Sequence, residues 1–307
     1  MKKRGFLVLG ILLVGTVFAF TMEQGLKVTI LTGDINIISP MQDNIYDDRR
    51  IPVIILLSEE AEYLKVSDNG GRFRTLCRNC DSLGFWSTRI MGFDEGFHEL
   101  EFVAVFSDRT VSQNVSFFID SKDPTIPKTT PARNQVTNGS DFSVKYTESN
   151  VKEILLIWNP TINLTGQCAS GEDVICNVPQ VDLTAFDGQE IEYWFNVTDI
   201  ANNTDSSIPL NVLVDTTSPL LTVNAPVDTA YGRRVPFNLS ASEDVTLDFI
   251  DNSDLSPIWK RICSNCNSYG LTSLRTKSFK TGMHDIVIRA TDKAGNSDSE
   301  DAIFNVV

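Results

Sequence analysis

The sequence is short of positive charge and has no helical apolar repeat. Its 26 Lys and Arg residues face 40 Asp and Glu residues, so the formal net charge is −14. Nucleic-acid binding needs a clustered basic face, so this balance excludes nucleic acid as a partner and makes anionic surfaces poor ones. Apolar residues do not recur at 3.6-residue spacing after residue 22, which argues against helical domains.

Histidine and the familiar catalytic motifs are also scarce. The only two histidines are His98 and His284. The sequence contains no G-x-S-x-G, no H-E-x-x-H and no phosphate-binding loop. Two lone histidines about a domain or more apart cannot form a catalytic constellation. We therefore expect a protein that is not an enzyme.

One long apolar run is present, at the N-terminus. Residues 6–20 carry no charge and follow a basic cluster. The run is short for a membrane span, and the small-residue rule allows cleavage after Ala19. We expect residues 1–22 to be a cleaved signal peptide or an uncleaved signal-anchor helix, and the basic cluster ending in Gly5 leaves a type IV prepilin leader open. Each alternative places the rest of the chain outside the cytoplasm, with membrane contact only through residues 6–22.

The chain contains one stretch twice. F-R-T-L-C-R-N-C-D-S-L-G, from Phe73, returns as W-K-R-I-C-S-N-C-N-S-Y-G, from Trp259, at an offset of 186 residues (259 minus 73). His98 returns as His284 at the same offset. Self-similarity at a fixed offset indicates a repeated structural unit.

A third, more diverged copy lies between these two. I-D-S-K-D-P, from Ile119, has the layout of V-D-T-T-S-P, from Val214, at an offset of 95 residues (214 minus 119). Three units of about 90 residues result, a size that suits one β-sandwich each. The predicted domain boundaries are 27–121, 122–216 and 217–307.

Within the units, apolar and polar residues alternate with a period of two. Turn residues recur about every 8 to 12 positions, which is typical of an all-β sandwich. The sequence therefore predicts an all-β chain of three tandem sandwiches. In the third unit the predicted strands are 220–224, 237–241, 246–250, 274–279, 286–290 and 302–307.

Two segments make the fold prediction more specific. G-M-H-D-I-V-I-R-A-T-D-K-A-G-N (282–296) and the connector V-D-T-T-S-P (214–219) resemble the penultimate strand, hairpin and joint of immunoglobulin-like repeats of prokaryotic (bacterial and archaeal) cell-surface proteins. The second unit carries V-T-D-I-A-N-N (197–203) in that place, while the first departs with V-F-S-D-R (105–109). The resemblance covers residues 34–307.

The resemblance implies a non-catalytic structural or adhesion protein, either secreted or displayed on a cell surface. Its expected partners are other cell-surface proteins, glycans or copies of itself, contacted through loops at the domain ends. The six-residue connectors each contain a proline, which favours a fairly stiff rod over a flexible string.

Six cysteines fall two to a unit. Outside the cytoplasm, an even count paired by domain is most simply three local disulfides, each contributing about 2 to 3 kcal/mol. The spacing to the following glycine places the two Cys-x-x-Cys pairs in a mid-domain crossover. The alternative is an extracytoplasmic zinc-binding or thiol-redox factor that uses those two pairs. The pairs are Cys77 with Cys80, Cys168 with Cys176, and Cys263 with Cys266.

Acidic residues recur at equivalent places near the domain joints. Asp and Asn bond their own backbone in turns, so solvated turn chemistry is one interpretation. The other is calcium at the joints, since calcium prefers carboxylate and carbonyl oxygens. No other cofactor is expected. The candidate ligands are Glu59, Asp120, Glu148, Asp199, Asp215, Glu243 and Asp292.

The histidines and the arginine pairs have structural interpretations. His98 and His284 share the parity of core-facing residues, and Ile191 occupies that position in the second unit. A position that accepts Ile is structural rather than catalytic. The pairs at 49–50 and 233–234 are interpreted as strand-edge residues that cover neighbouring carboxylates.

Six Asn-X-Ser/Thr sequons permit glycosylation if the host supplies it. Three of the asparagines have the outward parity of a strand, and the other three fall in predicted loops. The sequons are at Asn114, Asn138, Asn163, Asn196, Asn202 and Asn238.

Overall fold

A computed structural model describes residues 21–22, 26–27 and 33–307. Most of the predicted leader lies outside the described residues. Its last two residues, Thr21–Met22 (β1), pair antiparallel with Leu26–Lys27 (β2).

The chain divides into two compact units, residues 1–121 and 122–307. The first unit contains domain 1, and the second contains domains 2 and 3. Across the described residues, the helical structure is limited to one 3-10 turn at Thr184–Phe186. No helix in that part of the chain is long and apolar enough to span a membrane.

Domain 1 is built of eight strands. The main sheet has the order β3-β6-β9-β10-β4, β7 pairs with β6, and β5 pairs with β8. The short β4 is parallel to β10, and the other pairs are antiparallel. The strands are β3 (Ile35–Ser39), β4 (Asn44–Tyr46), β5 (Arg50–Pro52), β6 (Ile54–Asp68), β7 (Arg74–Leu83), β8 (Ile90–Gly92), β9 (Gly96–Val105) and β10 (Thr110–Ile119).

The long strand β6 pairs with strands on both sides of the domain 1 sandwich. Its first residues pair with β3, and its last residues pair with β9. Strand β7 follows it along the other side, and the register between them shifts between Leu56 and Ala61. Such a shift bends a strand locally. One bent strand therefore takes the place of two shorter strands joined by a loop.

Domain 2 separates into two sheets. One has the order β11-β13-β16, and the other has the order β12-β19-β17-β14-β15, with β18 beside β17. In chain order these are the A-B-E and G-F-C groupings of an immunoglobulin-like sandwich. The strands are β11 (Thr125–Thr130), β12 (Val136–Thr137), β13 (Ser143–Glu148), β14 (Val151–Ile157), β15 (Ile162–Asn163), β16 (Gly171–Asn177), β17 (Glu190–Asp199), β18 (Thr204–Ser206) and β19 (Leu210–Val214).

Domain 3 repeats the arrangement of domain 1. Its sheet has the order β20-β22-β25-β26-β21, and β23 and β24 both pair with β22. Strand β22 again combines two strands in one, because it pairs first with β20 and then with β25. The strands are β20 (Leu221–Ala225), β21 (Ala230–Tyr231), β22 (Arg234–Asp251), β23 (Lys260–Tyr269), β24 (Arg275–Ser278), β25 (Gly282–Thr291) and β26 (Ser297–Val306).

Each domain has a buried apolar core of its own. Alternation along the strands builds these cores: in β9 and β25 the same sequence of burial repeats, with every second residue buried from the histidine onward. Strands with this period place one face in a core and the other towards solvent. The chain is thus an all-β tandem of three immunoglobulin-like sandwiches, as predicted.

Two details of the predicted strands are wrong. The segments 237–241 and 246–250 were expected to be separate strands, but both lie within β22. The two Cys-x-x-Cys pairs were expected in a crossover, but they lie within β7 and β23. These two strands are difficult to predict from the sequence because their residues alternate in burial only weakly.

Candidate functional site

All six cysteines form disulfides within their own domains. The bonds are Cys77–Cys80, Cys168–Cys176 and Cys263–Cys266, and no cysteine is free. In the two Cys-x-x-Cys pairs, the asparagine before the second cysteine has a positive φ, 46° at Asn79 and 51° at Asn265. Asparagine tolerates this conformation better than most residues. The bond in β23 spans a register shift against β22, between Val245 and Leu247, whereas in β7 the shifts against β6 lie on either side of the cysteine pair.

The joint between domains 2 and 3 is held by Asn296. Its Nδ2 donates to Oδ2 of Asp292 and to the carbonyl of Asp215, both over 2.8 Å. Its Oδ1 accepts from Nδ2 of Asn138 over 3.2 Å. Asn138 belongs to domain 2, Asp215 to the connector and Asn296 to the last hairpin of domain 3. One amide therefore connects both domains and the segment between them.

The connector is also tied back to domain 2. Oδ1 of Asp187 accepts from the amide and the hydroxyl of Thr216, over 2.6 and 2.9 Å, and Oδ2 accepts from the hydroxyl of Thr217 over 3.0 Å. These hydrogen bonds, led by that from the Thr216 amide, hold the pKa of Asp187 below its ordinary value. The amide of Asp215 donates to the carbonyl of Thr137 over 3.0 Å. The connector is therefore fixed by several directional contacts.

Three of the predicted calcium ligands meet at this joint. Carboxylate oxygens of Asp215, Glu243 and Asp292 lie within 4.8 Å of one another. Burial, and then the charges of Asp292 and Asp187, raise the pKa of Asp215. Burial, and then the charges of Asp215, Asp292 and Asp244, raise the pKa of Glu243. The geometry could accommodate a hard cation, and calcium at this joint stays a prediction.

In domain 1, the equivalent glutamate, Glu59, has a basic partner. Nη2 of Arg109 lies 2.6 Å from Oε1 of Glu59 and 2.8 Å from Oδ1 of Asp34. Hydrogen bonds from Arg109 and Ser58, with the Arg109 charge, lower the pKa of Asp34. In the described residues, no Lys or Arg forms an ion pair with any of the three carboxylates at the joint. Domain 1 therefore has an arginine paired with this glutamate, whereas among the described residues the equivalent Glu243 of domain 3 has no ion-pair partner.

The other candidate ligands are engaged in local structure. Asp199 accepts from the amide and side chain of Asn203, as Asp292 does from Asn296. Glu148 accepts from the amide of Asn150 over 2.7 Å, and burial, opposed by that hydrogen bond and reinforced by the Asp199 charge, raises its pKa. Asp120, in the first unit, is buried. The turn interpretation therefore fits Asp199 and Asp292 directly.

A histidine–aspartate pair in domains 1 and 3, with both members buried only in domain 3, was not foreseen from the sequence. Nδ1 of His98 lies 2.9 Å from Oδ2 of Asp68, and Nδ1 of His284 lies 2.6 Å from Oδ2 of Asp251. The signal was present, because both the histidine and the aspartate recur in the repeat, at offsets of 186 (284 minus 98) and 183 (251 minus 68). Both histidines are buried, as their core-facing parity predicted.

The arginine pairs behave differently in the two domains. Arg49 lies 2.5 Å from Asp94 and 4.0 Å from Glu95, as expected for a strand-edge residue that covers carboxylates. Within the described residues, Arg233 and Arg234 form no ion pair.

The six sequon asparagines differ in accessibility. Asn114, Asn163 and Asn202 are exposed, whereas the other three are partly buried. Among the latter, Asn138 already donates its amide to Asn296 across the joint. Glycosylation stays a prediction, and the three exposed asparagines offer the better acceptors. The partly buried ones are Asn138, Asn196 and Asn238.

Comparisons with known proteins add little to the fold assignment. No protein-family model and no curated protein matches the chain. Fibronectin(III)-like modules of CbhA from Clostridium thermocellum are 14% identical, over 60% of this chain and 93% of that one, with a TM-score of 0.35. A tetra-tandem repeat from the extending region of a large adhesion protein is 15% identical over 89% and 74%, with a TM-score of 0.33. An I-band fragment of titin is 12% identical over 90% and 99%, with a TM-score of 0.37.

Because these TM-scores lie below 0.5, the assignment to the immunoglobulin-like fold rests on the strand order of each domain. The prokaryotic setting suggested by the sequence stays a prediction.

Proposed function

We propose that the chain is an exported cell-surface or secreted protein that spaces or adheres through tandem immunoglobulin-like domains, without catalysing a reaction. The observation that carries the proposal is the closure of all six cysteines into three bridges, each within one domain. Structural disulfides persist in oxidising compartments and are rare in the cytosol. This supports a location outside the cytoplasm.

The contacts at the joint of domains 2 and 3 support a spacing role. Domain motion is the default expectation unless an interface is held by substantial contacts. Here Asn296 connects both domains and the connector, and Asp187 fixes Thr216 and Thr217. A connector held in this way keeps the orientation of one domain relative to the next, which is what a spacer requires.

The expected partners are other cell-surface proteins, glycans or further copies of the chain. Loops at the ends of a rigid sandwich are the usual binding surfaces of such domains. The excess of 40 acidic over 26 basic residues disfavours nucleic acid.

Intact-mass spectrometry of protein recovered from the medium or the surface of its native host tests the proposal. Alkylation should label no cysteine before reduction and all six after it, and the protein should be degraded when protease is added to intact cells. Labelling of Cys77, Cys80, Cys263 or Cys266 without reduction would instead support the thiol-redox or zinc alternative. Protection from external protease in intact cells, with loss of protection after lysis, would contradict surface display, and absence from the medium would then contradict export.

A further inference from the structure

Domain 3 contains a basic pocket within an acidic chain. The pocket has a volume of about 300 Å³. This volume is at the lower end of the range for small-molecule sites. Strands β22, β23, β24 and β25 and the turn before β25 contribute its wall. Four cations line it: Lys260, Arg261, Lys277 and Lys280.

The two carboxylates that line the pocket each have a hydrogen-bonding partner. Oδ2 of Asp251 accepts from Nδ1 of His284 over 2.6 Å, and Oδ2 of Asp254 accepts from Nζ of Lys260 over 2.9 Å. The Lys260 hydrogen bond and charge, and then the charges of Lys280 and His284, lower the pKa of Asp254. The local potential is therefore positive, although the chain carries a net charge of −14.

Two of the lysines are left without a carboxylate. In the described residues, neither Lys277 nor Lys280 forms an ion pair. Nζ of Lys277 reaches only the carbonyl of Arg261, at 3.5 Å, and lies 5.6 Å from the centre of the Tyr269 ring. Lys280 is exposed, and its carbonyl accepts from Nε2 of His284 over 2.9 Å. Its backbone is thus fixed while its ammonium group stays available.

The pocket has a rigid apolar base. The buried Phe249 and the partly buried Phe279 have ring centres 5.8 Å apart, and the ring of Phe279 packs edge-on to that of His284. A cation held above an apolar surface interacts more strongly with an anion than one surrounded by water, because less solvent screens it.

Domain 1 provides an internal comparison. Its pocket at the equivalent histidine has a volume of about 660 Å³, and its charged lining comprises four aspartates and two arginines. Asp94 stands there at the position of Lys280, at the repeat offset of 186 residues (280 minus 94). Asp94 also forms an ion pair with Arg49, at 2.5 Å. Of these two pockets, only that of domain 3 is therefore lined by more cations than carboxylates.

We propose that the pocket of domain 3 binds an oxyanion, either a free ion or the acidic group of a saccharide, between the ammonium groups of Lys277 and Lys280. Charge-assisted hydrogen bonds to carboxylate, sulfate or phosphate oxygens are stronger than neutral ones. This proposal does not depend on the location or the adhesive role of the chain.

Calorimetric titration of the full chain at constant ionic strength tests the proposal. The probes are sodium sulfate and sodium glucuronate, with glucose as the neutral analogue. Sulfate should bind and glucose should not. Binding of glucuronate as well would support a saccharide-borne group, and binding of sulfate alone would support a free ion. Lys277→Gln and Lys280→Gln should each weaken binding by about tenfold, the usual effect of losing one charged hydrogen bond.

Matched variants separate the pocket from general charge. Lys280→Asp, which copies the residue of domain 1, should abolish binding, and Lys293→Gln, in the exposed hairpin of the same domain, should leave it unchanged. Lys280 and Lys293 are exposed and Lys277 is partly buried at the pocket wall, so the variants are expected to fold, and circular dichroism checks this. Absence of sulfate binding, or equal losses in Lys293→Gln and Lys280→Gln, would overturn the proposal.

Discussion

In domain 3, Nδ1 of His284 donates to Oδ2 of Asp251 over 2.6 Å, and both side chains are almost fully buried. The other ring nitrogen faces the carbonyl of Lys280 at 2.9 Å. Both ring nitrogens of His284 therefore have a hydrogen-bonding partner. Domain 2 has buried apolar residues instead, Ile191 in place of the histidine and Trp158 next to the end of β14 in place of the aspartate. The histidine and aspartate positions therefore change together between domain 3 and domain 2.

Replacing His284 alone should be strongly destabilising. His284→Ile copies domain 2 at this position but leaves the Asp251 carboxylate buried without its donor. Removing one member of a buried charged pair costs about 3 to 5 kcal/mol. Urea unfolding of the full chain, monitored by near-ultraviolet circular dichroism, measures the loss.

The double variant His284→Ile with Asp251→Leu provides the control. Buried pairs can often be replaced by apolar residues at little net cost, so the double variant should be clearly more stable than His284→Ile. If the loss in the double variant equals the sum of the losses in His284→Ile and in Asp251→Leu measured alone, the residues are not coupled and the paired interpretation is wrong.

The disulfides should differ in their contribution according to ring size. Loss of Cys168–Cys176, with a sequence separation of 8, should cost about 2.6 kcal/mol by loop-closure entropy, whereas loss of Cys77–Cys80, with a separation of 3, should cost about 2 kcal/mol. Paired Cys→Ser variants and thermal unfolding measure both. A cost near 5 kcal/mol for the shorter ring would mean that it holds the sandwich rather than one strand.

The Asn296 side chain should couple domains 2 and 3. Asn296→Ala removes its donors to Asp292 and Asp215 and its acceptor for Asn138. Each lost hydrogen bond is worth about 1 kcal/mol, so the two domains should unfold in separated transitions in calorimetry. Lys293→Ala, in the same hairpin but exposed, should leave the parent transition intact. Identical thermograms for both variants would refute the coupling.

The carboxylate cluster at the joint should lower stability at neutral pH. Because the pKa of Glu243 is raised above its ordinary 4.5, the folded state holds that proton to higher pH. The associated stability is complete below about 4.5 and is lost as pH rises through the folded pKa. Glu243→Gln should therefore be more stable than the parent at pH 7, by about 0.5 kcal/mol, with the difference vanishing near pH 4.

A second carboxylate at the joint should show the opposite sign. The pKa of Asp187 is lowered from 3.8 by its bonds to Thr216 and Thr217, so its contribution is present above 3.8 and is lost as pH falls through the folded pKa. Asp187→Asn should be less stable than the parent at pH 7 and equal to it in strong acid. Thermal melts at several pH values compare both variants. The same sign for both would contradict the hydrogen-bond and charge assignments.

Calcium should bind at the joint if Asp215, Glu243 and Asp292 act as ligands. At a calcium concentration 100 times the dissociation constant, binding to the folded state alone adds about 2.7 kcal/mol, which should appear as a raised melting temperature. Asp215→Asn and Glu243→Gln should remove the increment. Glu59→Gln should keep it, since Arg109 already supplies a cation there. No response of the parent chain to calcium would exclude the site.

The sequence was sufficient to predict the class of fold. A fixed offset of 186 residues identifies the repeat, and a period of two identifies the buried face of each strand; both can be found by comparing residues of the sequence alone. The core position of His98 and His284 followed from the same parity. Local pairing of cysteines followed from their distribution along the chain.

The arrangement of the joint could not be predicted in this way. The bond from Asn138 to Asn296 joins residues 158 positions apart, and no local pattern specifies such a contact. The sequence placed seven acids near joints but could not tell that Arg109 pairs with Glu59, whereas Glu243 has no such partner among the described residues. The fusion of two strands in β22 was missed because a bend within a strand and a turn between strands have similar sequences.

The bonds Cys77–Cys80 and Cys263–Cys266 have a consequence for molecules packed side by side. Strands β7 and β23 are bonded on one side only among the described strands, and an unpaired flank of this kind can template cross-β fibres. The disulfides enclose residues with positive φ, Asn79 and Asn265, which depart from the extended geometry that pairing with a foreign strand requires. We therefore expect these bonds to limit edge-strand association between neighbouring molecules. Reduction should increase that association at temperatures below the melting of the sandwich.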